Sequence, residues 1–210
     1  MNHPDEIKAV LEDTIDEVAA KLRKEGKFQR DRLLPPETLI RLLLSMRGGS
    51  LQKELYDARV SASAAAFSMR RKLLDEQAMK VLFENFNERC GWTSTFQGYR
   101  IFAVDGTTVN LPRNPKSESF LKNAGHPNGL NQLHLTPLFD IASNVYRHCV
   151  IQPQNYQDEI GALLFMLARY DFNTPTLIIA DRGFEAYEVI AAFQEKANAA
   201  FLIRVRQNQS

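Results

Sequence analysis

Near residue 95 the hydrophobic period of this chain changes, and that change restricts what it can fold into. Before it, Ile7, Val10, Leu11, Ile15, Val18, Ala19 and Leu22 return at three- and four-residue steps and make one apolar stripe of a helix. Pro35 and Pro36 can open a second helix through Leu39, Leu42 and Leu44 that stops at Gly48 and Gly49. Ser50 can cap a third helix as far as Asp57. Ser61 or Ser63 can cap a fourth running to Asp75, and Gln77 to Arg89 reads as a fifth with Met79, Leu82, Phe83 and Phe86 inward.

The segment GWTSTFQGY breaks that period. From Arg100 the runs RIFAVD, NQLHLTPLFD and SNVYRHCVIQ read as strands, with IASN turning a hairpin between the last two. Asp158 to Tyr170 reads as a helix, TLIIAD as an apolar central strand, Glu185 to Ala197 as a helix, and AAFLIRV as a final strand. The order β-β-β-α-β-α-β describes a mixed sheet whose last strands enter by helical crossovers. The chain therefore divides into a helical region, 1–95, and an α/β region, 96–210. Between the first two strands, LPRNPKSESFLKNAGHPNG reads as a mobile loop carrying Arg113, Lys116 and Lys122.

Composition excludes several classes. No apolar run approaches the roughly 20 residues of a membrane helix, and the start MNHPDEIK is unlike a secretory signal, so a cytoplasmic address is expected. Two cysteines without a CxxC spacing and four histidines argue against a disulfide scaffold or a structural zinc site. No P-loop motif is present. A formal net charge of +1 leaves the choice of partner to local charge. The clearest positive cluster is Arg59, Arg70, Arg71 and Lys72, a stretch with no acidic residue among them. The helices on either side of Ser61 fit a helix-turn-helix-like pair with these side chains on phosphates, and equally a small bundle with a solvated basic edge.

Two aspartates carry the chemistry. Asp105 ends RIFAVD and Asp181 ends TLIIAD, each where an apolar strand gives way to a glycine-containing turn. Carboxylates at the ends of neighbouring strands can hold divalent cations against phosphate oxygens. Either residue can instead cap a turn through its own backbone. Thr107 and Thr108 suit a phosphate contact or the next turn, and Arg182 suits a pair with Asp181 or a DNA phosphate. Asp140 reads as a turn residue, His134 as a packed strand residue and His126 as solvent-facing. Cys149 lacks the base a nucleophile needs.

The runs SLQKELYDARVSASAAAFSMRRKLL, FAVDGTTVNLP, LIIADRGFEAYEVI and FLIRVR resemble the amino-terminal part of a bacterial insertion-sequence transposase of the insertion-sequence-four family. The resemblance implies a ribonuclease-H-like DDE core, with Asp105 and Asp181 as its two catalytic, metal-binding aspartates. It also implies Mg²⁺, with Mn²⁺ as a substitute, terminal inverted repeats of double-stranded DNA as partner, and a homodimer in synapsis. The family's third carboxylate, a glutamate, belongs to a later Y…R…E…K region, and Glu185, Glu188 and Glu195 come too early to match it. On this reading the chain stops short of that glutamate. A transposase truncated in its catalytic domain is expected, with a noncatalytic DNA-binding remnant as the alternative.

Overall fold

The computed structural model describes residues 4–30, 34–123, 125–170 and 172–204. Two compact units emerge, Met1–Trp92 and Thr93–Ser210. The first contains the helices α1 (Pro4–Lys24), α2 (Pro36–Ser45), α3 (Leu51–Asp57), α4 (Ala64–Arg71) and α5 (Glu76–Cys90). Ile15, Val18 and Leu22 of α1 meet Leu39, Ile40 and Leu42 of α2, with Leu55, Phe67 and Leu82 completing the core. Full burial of each such side chain stabilises by about 1.5–3 kcal/mol.

The helix starts follow side-chain chemistry. Ser50 accepts from the Lys53 N–H, Ser63 from Ala66 and Asp75 from Ala78, each satisfying a donor that the first helical turn leaves open. Asp75 therefore opens α5 instead of ending the fourth helix, and α4 stops at Arg71. Gly91, at φ +54°, closes α5 in the left-handed region that favours glycine.

The second unit holds β1 (Arg100–Val104), β2 (Thr107–Leu111), β3 (Phe120–Asn123), β4 (His126–Asp140), β5 (Val145–Pro153), α6 (Glu159–Arg169), β6 (Thr176–Ala180), α7 (Tyr187–Gln194) and β7 (Ala199–Ile203). β5, β4 and β1 run antiparallel, and β1, β6 and β7 run parallel. One face of this mixed sheet presents Phe102, Val104, Leu138, Ile178 and Ala180 to Leu163, Met166 and Leu167 of α6 and Val189 and Phe193 of α7. Alternation along β4 places His134, Thr136, Leu138 and Asp140 in buried positions.

The stretch expected to be a mobile loop is partly strand. β2 and β3 occupy part of it and β4 begins at His126, so His126 is exposed on a strand. Exposed polar residues hid these pairings, since β2 is exposed along its whole length. A buried asparagine pins the connection. Asn131 accepts from the Asn114 N–H at 2.6 Å and donates to the Asn114 carbonyl at 3.0 Å and to Ser119 Oγ at 2.9 Å.

β1 and β2 are two pieces of one line along β4. Val104 pairs with Leu138 and Thr107 with Leu135, so the register passes unbroken across Asp105 and Gly106, opposite Pro137 and Thr136. β5 pairs with β4 along its other edge, from Leu133 to Asp140. Asp105 thus stands in a two-residue interruption of a strand held on both sides.

Candidate active site

Parallel pairing brings the two aspartates together at one edge of the sheet. Val104 is the register partner of Ala180, so Asp105 and Asp181 leave adjacent strands at the same level. Both are exposed. Asp105 Oδ1 accepts the Gly106 N–H at 2.8 Å, and Asp181 Oδ1 accepts the Gly183 N–H at 2.6 Å. Each carboxylate therefore stiffens its own turn, and with two oxygens it retains lone pairs for a further ligand. Phe184, fully buried, anchors the short 3-10 turn Arg182–Phe184 that follows Asp181.

Two further side chains reach these turns. Asp158 caps α6 by accepting the Gly161 N–H at 2.8 Å, which places Glu159 at the first helical position. Glu159 Oε1 lies 2.9 Å from Nε2 of His134, whose side chain is only 5% exposed. A Cβ on Gly106 would run into Glu159 Oε1 and come within 2.7 Å of His134 Cε1. A Cβ on Gly183 would stand 2.9 Å from Asp181 Oδ1 and 3.9 Å from Glu159 Oε2. The Glu159 carboxylate thus lies between the two aspartate turns. Among the described residues, no three His, Cys, Asp or Glu side chains converge closely enough as they stand to hold an ion.

Sequence spacing did not single out Glu159, because an acidic residue in a first helical turn is a common complement to the helix dipole. The available signal was the glycine following each aspartate, which makes room for a neighbour.

The remaining expected positions scatter. Thr108 lies in β2 instead of a turn, and its hydroxyl donates to Gln154 Oε1 at 2.9 Å. Asp140 does serve a turn, accepting the Ser143 N–H at 3.0 Å, and is fully buried. Burial raises the pKa of the half-buried Cys149 thiol, which disfavours a thiolate nucleophile. Arg113 donates to the Asn128 carbonyl at 3.2 Å while remaining exposed, as Lys116, Lys122 and Arg182 do. In the helical unit Arg59, Arg71 and Lys72 are exposed. Arg70 differs, for it donates to the Leu34 carbonyl at 3.0 Å and lies 4.5 Å over the Phe28 ring. Its guanidinium is engaged in packing, which sets it apart from the basic neighbours expected on phosphates.

Comparison with known proteins decides the family. The sequence model described as a transposase DDE domain matches residues 96–210, more than half of the chain. The chain belongs to the DDE transposase domain family. Domains of this family depend on divalent metal. No curated protein matches the chain in sequence. Among solved structures, the chain is similar to the piggyBac transposase in its synaptic complex with hairpin DNA, determined by cryo-electron microscopy. That likeness has a TM-score of 0.51 at 10% identity and covers 96% of this chain and 49% of that one. The chain spans about half the length of that relative. A second similarity, to the crystal structure of the Mos1 strand transfer complex, has a TM-score of 0.32 at 15% identity and covers 85% of this chain and 60% of that one. The piggyBac likeness establishes the ribonuclease-H-like fold. Among the described residues no helix is long and apolar enough to cross a membrane.

Proposed function

We propose that this chain acts in cut-and-paste DNA transposition, as part of an insertion-sequence-four type transposase of bacterial origin. The observation that carries the reading is the level placement of Asp105 and Asp181 on paired parallel strands. Their oxygens suit a hard divalent cation, Mg²⁺ or in its place Mn²⁺, and fixed strand ends provide the rigidity such a site requires. The glycine beside Asp105 leaves the space that a further carboxylate, Glu159, occupies. When bound, the metal would supply Lewis acidity and lower the pKa of an attacking water or 3′-hydroxyl.

The chain's own residues would position that chemistry. Asp105 and Asp181 would hold the cation. Arg182, one residue from Asp181, would meet a DNA phosphate, and Arg113, Lys116 and Lys122 would extend the contact along double-stranded DNA. In the helical unit Arg59, Arg71 and Lys72 would bind the duplex at the terminal inverted repeats, with α3 and α4 as a helix-turn-helix-like pair. We place the helical DNA-binding region at 1–95 and the catalytic domain at 96–210, working as a homodimer in the cytoplasm.

A plasmid carrying the DNA that flanks the gene tests this reading. Nicking in Mg²⁺ or Mn²⁺, abolished by chelator and by Asp105→Asn or Asp181→Asn, is the expected result. Binding of the flanking DNA without nicking by the wild type at any metal concentration would replace it with a noncatalytic DNA-binding remnant.

A further inference from the structure

We propose that Glu159 is a third carboxylate of the divalent-cation site, positioned by His134. The inference rests on the metal reading of Asp105 and Asp181 and extends it to a residue on α6. An acidic side chain at a helix start is ordinarily explained by the dipole, worth about 0.3–1 kcal/mol on a surface. That explanation leaves two features of this glutamate unaccounted for.

The first is space. Neither Gly106 nor Gly183 adopts the positive φ that favours glycine, so backbone conformation does not require either one. Gly106 leaves the volume that Glu159 Oε1 occupies, and Gly183 faces Oε2 at 3.9 Å from where its Cβ would be. One carboxylate therefore packs against the Asp105 turn through Oε1 and lies on the side of the Asp181 turn with Oε2.

The second feature is His134. It is 4% exposed, and its Nδ1 has no hydrogen-bond partner. Nε2 is near Glu159 Oε1 at 2.9 Å, but out of alignment for a hydrogen bond. Burying such a group without full compensation costs on the order of 1–3 kcal/mol. The ring edge, through Cε1, points into the notch beside Gly106. A buried polar side chain aimed at a carboxylate fits the outer support that orients a metal ligand. With Asp105 and Asp181 turned toward Glu159 the three carboxylates would repel one another, and a divalent cation would relieve that repulsion. Asp105 and Asp181 now accept from their own turns, so ligation requires their side chains to rotate toward Glu159 while the backbone stays in place.

Manganese binding by the whole chain, followed by electron paramagnetic resonance of the free ion, tests the proposal without any turnover. Glu159→Gln keeps the shape and removes the charge, and is expected to weaken Mn²⁺ about tenfold or more. His134→Leu should weaken it similarly, whereas His134→Gln, which keeps a donor near the Nε2 position, should recover most of the affinity. Gly106→Ala provides an independent route, since it displaces Glu159 without changing any ionisable group, and should also lower affinity. Circular dichroism in chelator identifies the variants that fold. Wild-type binding that Asp105→Asn weakens, but that folded Glu159→Gln or Gly106→Ala retains within twofold, would overturn the role of Glu159 and leave the aspartate pair standing. Failure of the wild type to bind Mn²⁺ would overturn the metal reading and this inference together.

Discussion

The two units treat buried polar groups differently. In the helical unit the buried polar residues Thr14, Glu54 and Asn87 have partners. Thr14 donates to the Val10 carbonyl at 2.6 Å, Glu54 Oε1 accepts the N–H groups of Arg47 and Gly49 at 3.0 and 2.7 Å, and Asn87 bridges the Phe83 carbonyl and the Trp92 indole. In the α/β unit, Asn131 and Ser119 are matched, yet along β4 the hydroxyl of Thr136, one oxygen of Asp140 and Nδ1 of His134 lack hydrogen-bond partners. Each such omission costs about 1–3 kcal/mol. Of these groups, His134 and Thr136 lie on the stretch of β4 beside the Asp105 interruption, while Ser143 and Arg147 carry further unmatched atoms in the β4–β5 turn and β5, so the α/β unit tolerates a penalty that Thr14, Glu54 and Asn87 of the helical unit do not incur.

Substitutions can break or sharpen this contrast. Phe102→Ala, in the fully buried centre of the sheet, should cost about 3–5 kcal/mol and accelerate hydrogen exchange in peptides from the α/β unit. Glu54→Ala should cost about 2–3 kcal/mol, because two backbone donors lose their acceptor. Urea unfolding followed through Trp92, the chain's one tryptophan and a helical-unit residue, reads that loss. A pair of threonines tests the contrast by sign. Thr136→Val should stabilise by about 1 kcal/mol, since it removes an unmatched hydroxyl, while Thr14→Val should destabilise by about 1 kcal/mol by losing a made bond. The same sign at both positions would remove the distinction.

The smallest effect concerns acid. The hydrogen bond and charge of Arg23 hold the Glu37 carboxyl below the usual glutamate range. A folded pKa below the unfolded one contributes stability above the ordinary value, about 4.3, and the contribution disappears as pH falls through the folded value. Glu37→Gln should therefore flatten the acid limb of Trp92-detected stability by less than about 1 kcal/mol and leave neutral pH little changed beyond loss of the pair.

Much of this was legible in the residues themselves. Strong periodicity revealed the five helices, and apolar runs ending in Asp-Gly or Asp-Arg-Gly revealed both aspartate turns. β2 and β3 escaped notice because their exposed, polar residues gain strand structure only from pairing with β4. Glu159 escaped because its neighbours are distant in sequence. His134 is 25 residues before it, and Gly106 comes to it only through the register of β4. Arg70 was indistinguishable from Arg71 in the sequence, since only tertiary contact tells a guanidinium over Phe28 from one in solvent.

The unbroken register across Asp105 and Gly106 makes the sheet a ruler. A strand that slipped by one residue would carry Asp105 to the wrong level and also turn Phe102 and Val104 out of the core, so an error in placing the carboxylate is coupled to an error in folding. Selection for a stable α/β unit therefore also selects for the position of Asp105, and the side chain can swing toward a ligand while its Cα stays indexed to Asp181.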